Sequence, residues 1–272
     1  MLSINQQLSK PSLAFLREIR FLQIILMGSL LTVGVVLQDF SIRIEQIVLT
    51  FLLGITTQFL ALRILGLQNV GYLSAIITCM GTSLLLRSNS LWVPAASCCL
   101  AIAAKFILRI RNKHLFNPAM LSVVIGINFF PNSWISPGQW GYEVAMLAWL
   151  LALGFLVAMR ARTHEMSLAF LCFYGGLLAI RTWYFGYQWE VWLHQFQNGA
   201  LILFTFFMIT DPKTSPNHIF ARLLHTFIVA LIAFIWQYYF FWNSNLIYAL
   251  LLASFWVPVW DRLFISEKFE WT

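Results

Sequence analysis

Residues 206–217 read FFMITDPKTSPN. An apolar run stops on Thr210-Asp211-Pro212, and Pro216 follows four positions later. A residue before proline is biased away from the helical region, so Asp211 closes the segment. The apolar segment it closes, 196–210, is short against the ~20 residues needed to cross a membrane. Residues 84–94, LLLRSNSLWVP, close a second short segment (72–86) with the same order of apolar run, polar patch and proline. Short or interrupted helices in matching positions of two halves point to a central site built from helix ends.

The halves emerge when every apolar segment is laid out. Ten are expected, at 19–37, 44–64, 72–86, 91–108, 118–130, 141–159, 166–185, 196–210, 220–241 and 246–260. Ten divides into five plus five, and an odd-numbered repeat inserts upside down, so the two halves form an inverted pair. The expected fold is one all-α integral membrane domain of ten transmembrane helices, residues 1–130 making the first half and 141–272 the second, with short broken helices at the centre.

Composition agrees. The chain is 60% hydrophobic and 10% charged, with a mean hydropathy of +0.78, whereas soluble domains carry roughly 25% charged residues. The first apolar run is too long for a signal peptide and lacks a small-residue cleavage site, so it is expected to be the first membrane helix. A net charge of +7 would suggest nucleic acid for a soluble protein. Here it marks cytoplasmic loops instead, with lipid as the surrounding partner and no nucleic acid expected. Cys79, Cys98, Cys99 and Cys172 all lie in apolar runs without metal-ligand spacing.

Placing the N-terminus in the cytoplasm puts most Lys and Arg on that side, among them Lys10, Arg17, Arg20, Arg63, Arg109, Arg111, Lys113, Arg160, Arg162, Lys213, Arg222, Arg262 and Lys268. Only Arg43, Arg87 and Arg181 fall outside, which predicts two cytoplasmic ends. Trp183, Tyr184, Tyr187, Trp189 and Trp192, with Tyr238, Tyr239 and Trp242, are expected as aromatic belts at the outer edge. Asp39, Glu143 and Glu190 lie at segment ends and no segment carries a central Asp or Glu, so a proton or sodium relay within the chain is weakly supported.

The same topology brings two polar helix ends to one membrane face. One is TDPKTSPN (210–217); the other is RNKHLFNPAM (111–120), which opens the short fifth segment. Asn117 precedes Pro118, a favoured first helical residue, and suits an N-cap. Capping alone would account for both motifs. The functional alternative is a pocket in which an amide, offering donor and acceptor, and a carboxylate, offering acceptors only, meet one ligand. Lys105, near the cytoplasmic end of the fourth segment, either snorkels to the interface or points inward.

These motifs resemble the RnfD/NqrB family of membrane flavoproteins. The matching pieces are Lys105, HLFNPAM (114–120) and FMITDPKTSP (207–216), in that order. The resemblance implies a fold similar to urea channels, a place in a redox-driven complex with other subunits, and a non-covalent riboflavin near the cytoplasmic face of a bacterial inner membrane, a thylakoid membrane being the alternative. It implies that Asn117 and Asp211 face the flavin ring, with Lys105, His114, Phe116, Pro118, Thr210, Thr214 and Ser215 as cofactor-binding neighbours. Relatives often carry asparagine where this chain has His114. They also attach an FMN through a Ser-Gly-Ala-Thr loop after the fifth helix. This chain has PNSWISPGQWGYE (131–143) there and no Ser-Gly-Ala-Thr anywhere, so riboflavin or FMN is expected to be held without a covalent bond. The expected function is a flavin-binding electron-transfer subunit; homo-oligomers are possible on this reading. The competing class is a transporter or channel for a small polar molecule, or a ligand-free structural subunit.

Overall fold

The computed structural model describes residues 18–36, 43–67, 71–111, 113–136, 144–242 and 244–267, without the side chains of 144–147. Both chain ends, Asp39, and residues 137–143 of the loop after the fifth segment lie outside these, as do the expectations placed on them.

All ten expected segments are helical. The first half comprises α1 (Ile19–Val36), α2 (Ile44–Ile64), α3 (Tyr72–Leu85), α4 (Val93–Ile107) and α5 (Pro118–Phe129). The second comprises α6 (Val144–Arg160), α7 (His164–Tyr184), α8 (Trp189–Gln195), α9 (Gly199–Leu203) running into a π-helical turn (Phe204–Met208), α10 (Ile219–Tyr238), α11 (Asn245–Ser254) and α12 (Val257–Leu263). Four helices, α1, α2, α7 and α10, are long and apolar enough to cross a membrane alone; α11 and α12 qualify together as a span bent by 45°. Shorter apolar helices accompany them, including α3 at 14 residues and α5 at 12. This is an all-α, multi-pass membrane protein. Residues such as Ile44, Val48 and Leu52 on α2 are exposed apolar side chains, as a lipid-facing surface requires.

Connections gather at two ends of the bundle. At one end Arg43 Nη1 donates to Asn89 O, and Asn89 N donates to Asn132 O. Strands β1 (Leu86–Ser88) and β4 (Ser133–Ile135) pair there antiparallel, with Arg87 opposite Trp134. At the other end β2 (Arg109–Ile110) pairs with β3 (Lys113–His114), and this hairpin meets the 211–217 turn. Taking α9 with the π turn, and α11 with α12, as one pass each, helical passes alternate between these ends.

Packing partners recur in the two halves. α2 packs on α4 as α7 packs on α10, α4 on α5 as α10 on α11, and α1 on α3 as α6 on α9 and the π turn. Between halves, α1 meets α6 and α5 meets α11. Close approach depends on small residues. A Cβ on Gly81 would stand 2.8 Å from Ala119 Cβ, so glycine lets α3 lie against the first turn of α5. Cys79 Sγ and Cys98 Sγ sit 3.7 Å apart where α3 meets α4.

Two features depart from the expected pattern. The aromatic stretch 185–196 contains a short helix, α8, held by Trp192 Nε1 donating to Gly175 O at 2.9 Å. The eighth segment is not regular α-helix. It winds into π geometry, with Ile209 N donating to Phe204 O at 3.1 Å, a distortion found often at functional sites.

Candidate functional site

The two polar helix ends meet. Asn117 Nδ2 donates to Asp211 Oδ2 at 3.2 Å, across 94 residues of sequence. Each side chain also organises its own turn. Asn117 Oδ1 accepts from Ala119 N and Met120 N, at 3.0 and 3.1 Å, the N-cap that Asn-Pro predicts. Asp211 Oδ1 accepts from Lys213 N at 3.1 Å, and the Asp211 carbonyl accepts from Thr214 Oγ1 and Ser215 Oγ. Capping and pocket building are therefore one arrangement. Asn117 has one amide hydrogen left for a ligand once its cap and the Asp211 bond are made.

Both residues line a cavity of about 290 Å³, at the lower end of the ~300–1,000 Å³ usual for small-molecule sites. Walls come from both halves: Met27, Ile77 and Leu85 from the first, Val157, Phe206 and Phe207 from the second. Of the nine residues expected at the site, Lys105, His114, Asn117, Pro118, Thr210 and Asp211 line it. Phe116, Thr214 and Ser215 do not. Phe116 packs edge-on against Phe255, while Thr214 and Ser215 shape the turn behind Asp211. Thr210 spends its hydroxyl on Phe206 O at 2.6 Å.

Lys105 points inward rather than snorkelling. It is 5% exposed, and its Nζ has no hydrogen-bond acceptor among the described residues; it lies 5.4 Å from the centre of the Phe106 ring. An ammonium group buried without an acceptor is costly, so the site is poised to take a hydrogen-bonding ligand.

The β2–β3 hairpin carries His114, whose Nδ1 lies 2.9 Å from Lys105 O. Burial, and then the charges of Arg109, Lys105 and Lys213, push the imidazole down to about 4 from 6.5. His114 is thus neutral near pH 7. Between these values the unfolded chain binds the proton and the folded chain does not, so stability falls as pH drops from about 6.5 towards about 4. We expect thermal unfolding in detergent to move to lower temperature over that interval, and His114→Asn to flatten the dependence. An unaltered pH profile in the variant would show that other groups set it.

The turn bearing Asp211 is anchored from two sides. Lys113 Nζ donates to Ser215 O at 2.7 Å and to Asp261 Oδ2 at 2.9 Å, and Asp261 Oδ1 accepts from Asn217 N at 2.9 Å. Arg222 donates to Pro216 O, Arg162 O and Glu165 Oε1. Sequence reading missed Asp261, and it missed Gln58, a buried cavity residue. A signal for Gln58 exists. Gln46, Thr50, Gly54 and Gln58 recur every fourth residue along α2, all buried, which marks one inward stripe of unusually polar character.

Residues 135–270 match the NQR2, RnfD, RnfE family. The chain belongs to this family. The match takes in the turn around Asp211 and the anchoring residues Glu165, Arg222 and Asp261; the Asn117 cap and Lys105 lie ahead of it. No curated protein matches the chain. Membership in the NQR2, RnfD, RnfE family makes this a membrane subunit of a redox complex.

The residues present suit a flavin. Its pyrimidine edge offers one N–H and two carbonyls; Asp211 is an acceptor for the first, and Asn117 and Lys105 are donors for the second. Apolar walls suit the ring faces, and the buried Lys105 Nζ lacks, among the described residues, an acceptor that a carbonyl or ring nitrogen would supply.

Proposed function

We propose that this protein is a flavin-binding electron-transfer subunit that holds riboflavin or FMN without a covalent bond in the cavity between its halves. The observation that carries this is the junction of the Asn117 cap with Asp211 in the wall of a cavity that also holds the buried Lys105 ammonium. When bound, the flavin supplies the one- and two-electron chemistry. The protein binds, orients and tunes. Asp211 accepts a hydrogen bond, Asn117 keeps the Asp211 carboxylate in place and donates its remaining N–H, and the Lys105 ammonium favours negative charge in the cavity. Two halves, 1–130 and 141–272, related as inverted repeats are supported by the recurring helix partners. The cavity end bears Arg20, Arg109, Lys113, Arg162, Lys213 and Arg222, which supports a cytoplasmic opening in a bacterial inner membrane.

The protein purified in mild detergent is expected to be yellow, with oxidised flavin absorbing near ~450 nm. Acid denaturation should release all the colour, because no Ser-Gly-Ala-Thr is present for phosphoester attachment. Colourless protein that also takes up no added flavin would overturn the proposal and favour a transporter. Colour retained by the denatured chain would overturn the non-covalent attachment.

A further inference from the structure

We propose that Cys79 and Cys98 are a redox-active pair: an uncharged two-electron acceptor dissolved in the lipid phase closes them to a disulfide between α3 and α4, and the closed form holds the cavity's ligand less tightly. The binding consequence rests on the proposed flavin; bond formation does not. Both thiols are fully buried, and their sulfurs lie 3.7 Å apart although the residues belong to different helices. A disulfide of about 2.05 Å needs the sulfurs roughly 1.7 Å nearer, within reach of small side-chain rotations. A third helix, α2, makes room for the pair. A Cβ on Gly54 would stand 2.6 Å from Cys79 Sγ and 3.4 Å from Cys98 Sγ, so the glycine leaves open the space in which the two sulfurs gather.

Buried cysteines often serve only as small apolar residues. Two features set this pair apart: the sulfur contact itself, and its place behind the cavity wall. Cys79 and Cys98 belong with Ala75 and Ile102 to a cluster separate from the main core, and Phe106 packs against that cluster. Phe106 also lines the cavity. So do Thr78, next to Cys79 on α3, and Lys105, two turns beyond Cys98 on the same face of α4. Drawing the sulfurs together shifts α3 against α4, and a close-packed interior passes that shift to the wall. A wall displaced by about 1 Å no longer fits its ligand closely. The surroundings also select the oxidant. Glutathione is charged, and moving charge into apolar surroundings is costly; an uncharged acceptor meets no such barrier. The two thiols give up two electrons and two protons, the acceptor gains them as two hydrogens, and one S–S bond forms.

The test uses the full chain carrying Cys99→Ala and Cys172→Ala, which leaves the pair as its only cysteines. The protein is treated in mild detergent with diamide, an uncharged azo compound. One thiol adds across the N=N bond, and the second displaces the hydrazine to form the disulfide. Mass spectrometry of the digested protein should find the peptides bearing Cys79 and Cys98 joined, and dithiothreitol should separate them. Closure should raise the unfolding midpoint by roughly 5–10 °C, as expected for a disulfide across a span of 19 residues. Cys79→Ala and Cys98→Ala, made separately, should each abolish that rise. Riboflavin affinity, followed by quenching of flavin fluorescence, should weaken at least about threefold on closure and should not respond to diamide in either single-cysteine variant. Oxidised glutathione should leave both thiols free; closure as fast as with diamide would overturn the assignment to an uncharged oxidant. Thiols that stay free through diamide treatment would overturn the disulfide. Equal or tighter riboflavin binding by the closed form would overturn the link to the cavity. If neither form binds riboflavin, the flavin reading and that link fall together, while the joined peptides and the midpoint shift still decide the disulfide.

Discussion

Asp261→Ala is expected to destabilise the protein by about 3–5 kcal/mol, the cost of stranding a buried charge. The Asp261 and Lys113 side chains are 11% and 13% exposed, 2.9 Å apart. Burial already lowers the Lys113 ammonium below its usual range, against the opposing pull of Asp261. Without the carboxylate, Lys113 keeps only Ser215 O, and Asn217 N loses its acceptor. Lys113→Met should cost less, since Asp261 retains Asn217 N as a donor. The double variant should recover part of the Asp261→Ala loss, because the stranded ammonium is gone; contacting residues of this kind are not additive. Thermal and denaturant unfolding of the three variants in one detergent measures the effect. A loss for Asp261→Ala of about 0–1 kcal/mol, the usual value of an exposed pair, would show that the latch between the C-terminal helix and the Asp211 turn is cosmetic.

Asp211→Ala is expected to reduce riboflavin affinity by roughly ten- to a hundredfold, the equivalent of about 1.5–3 kcal/mol for a charge-assisted hydrogen bond. Riboflavin is the better probe here because it has no phosphate to respond to the altered charge balance. Asn117→Ala should act in the same direction more weakly, and also loosen α5 by removing its cap, typically ~0.5–2 kcal/mol. The effects of the two on affinity should fall short of their sum, since Asn117 works partly through Asp211. Asp211→Asn keeps the shape and drops the charge, so it reports how much of the loss is electrostatic. Variants that fold with lower stability yet bind riboflavin unchanged would reduce both motifs to helix punctuation.

How far the sequence reaches differs between these two sites. Asn117 and Asp211 are legible because proline announces each helix end, and because charge asymmetry and an even number of intervening passes put both ends on one face. That they touch is a tertiary fact, a side-chain hydrogen bond across 94 residues of sequence. Asp261 gives no such signal. It is one acid near the end of an apolar helix, and its partner is 148 residues away, beyond any periodicity. Phe116, Thr214 and Ser215 entered the expected site through the resemblance; Phe116 packs on Phe255, and the Thr214 and Ser215 hydroxyls donate to the Asp211 carbonyl, so none of the three lines the cavity. The short helix α8 was hidden because a seven-residue stretch rich in tryptophan reads equally as an interfacial loop.

The π turn ahead of Asp211 holds one residue in reserve. Such a turn accommodates one residue more than the α-helical winding it interrupts. Five residues of π winding, Phe204–Met208, turn the chain about as far as four of α, so the loss of one residue there rewinds the run as α-helix and leaves Thr210 and Asp211 facing nearly as before. A residue removed from a regular helix with no such slack turns everything beyond it by about 100°. The stretch that aims the carboxylate is therefore buffered against a one-codon deletion, a tolerance that no inspection of side-chain chemistry would reveal.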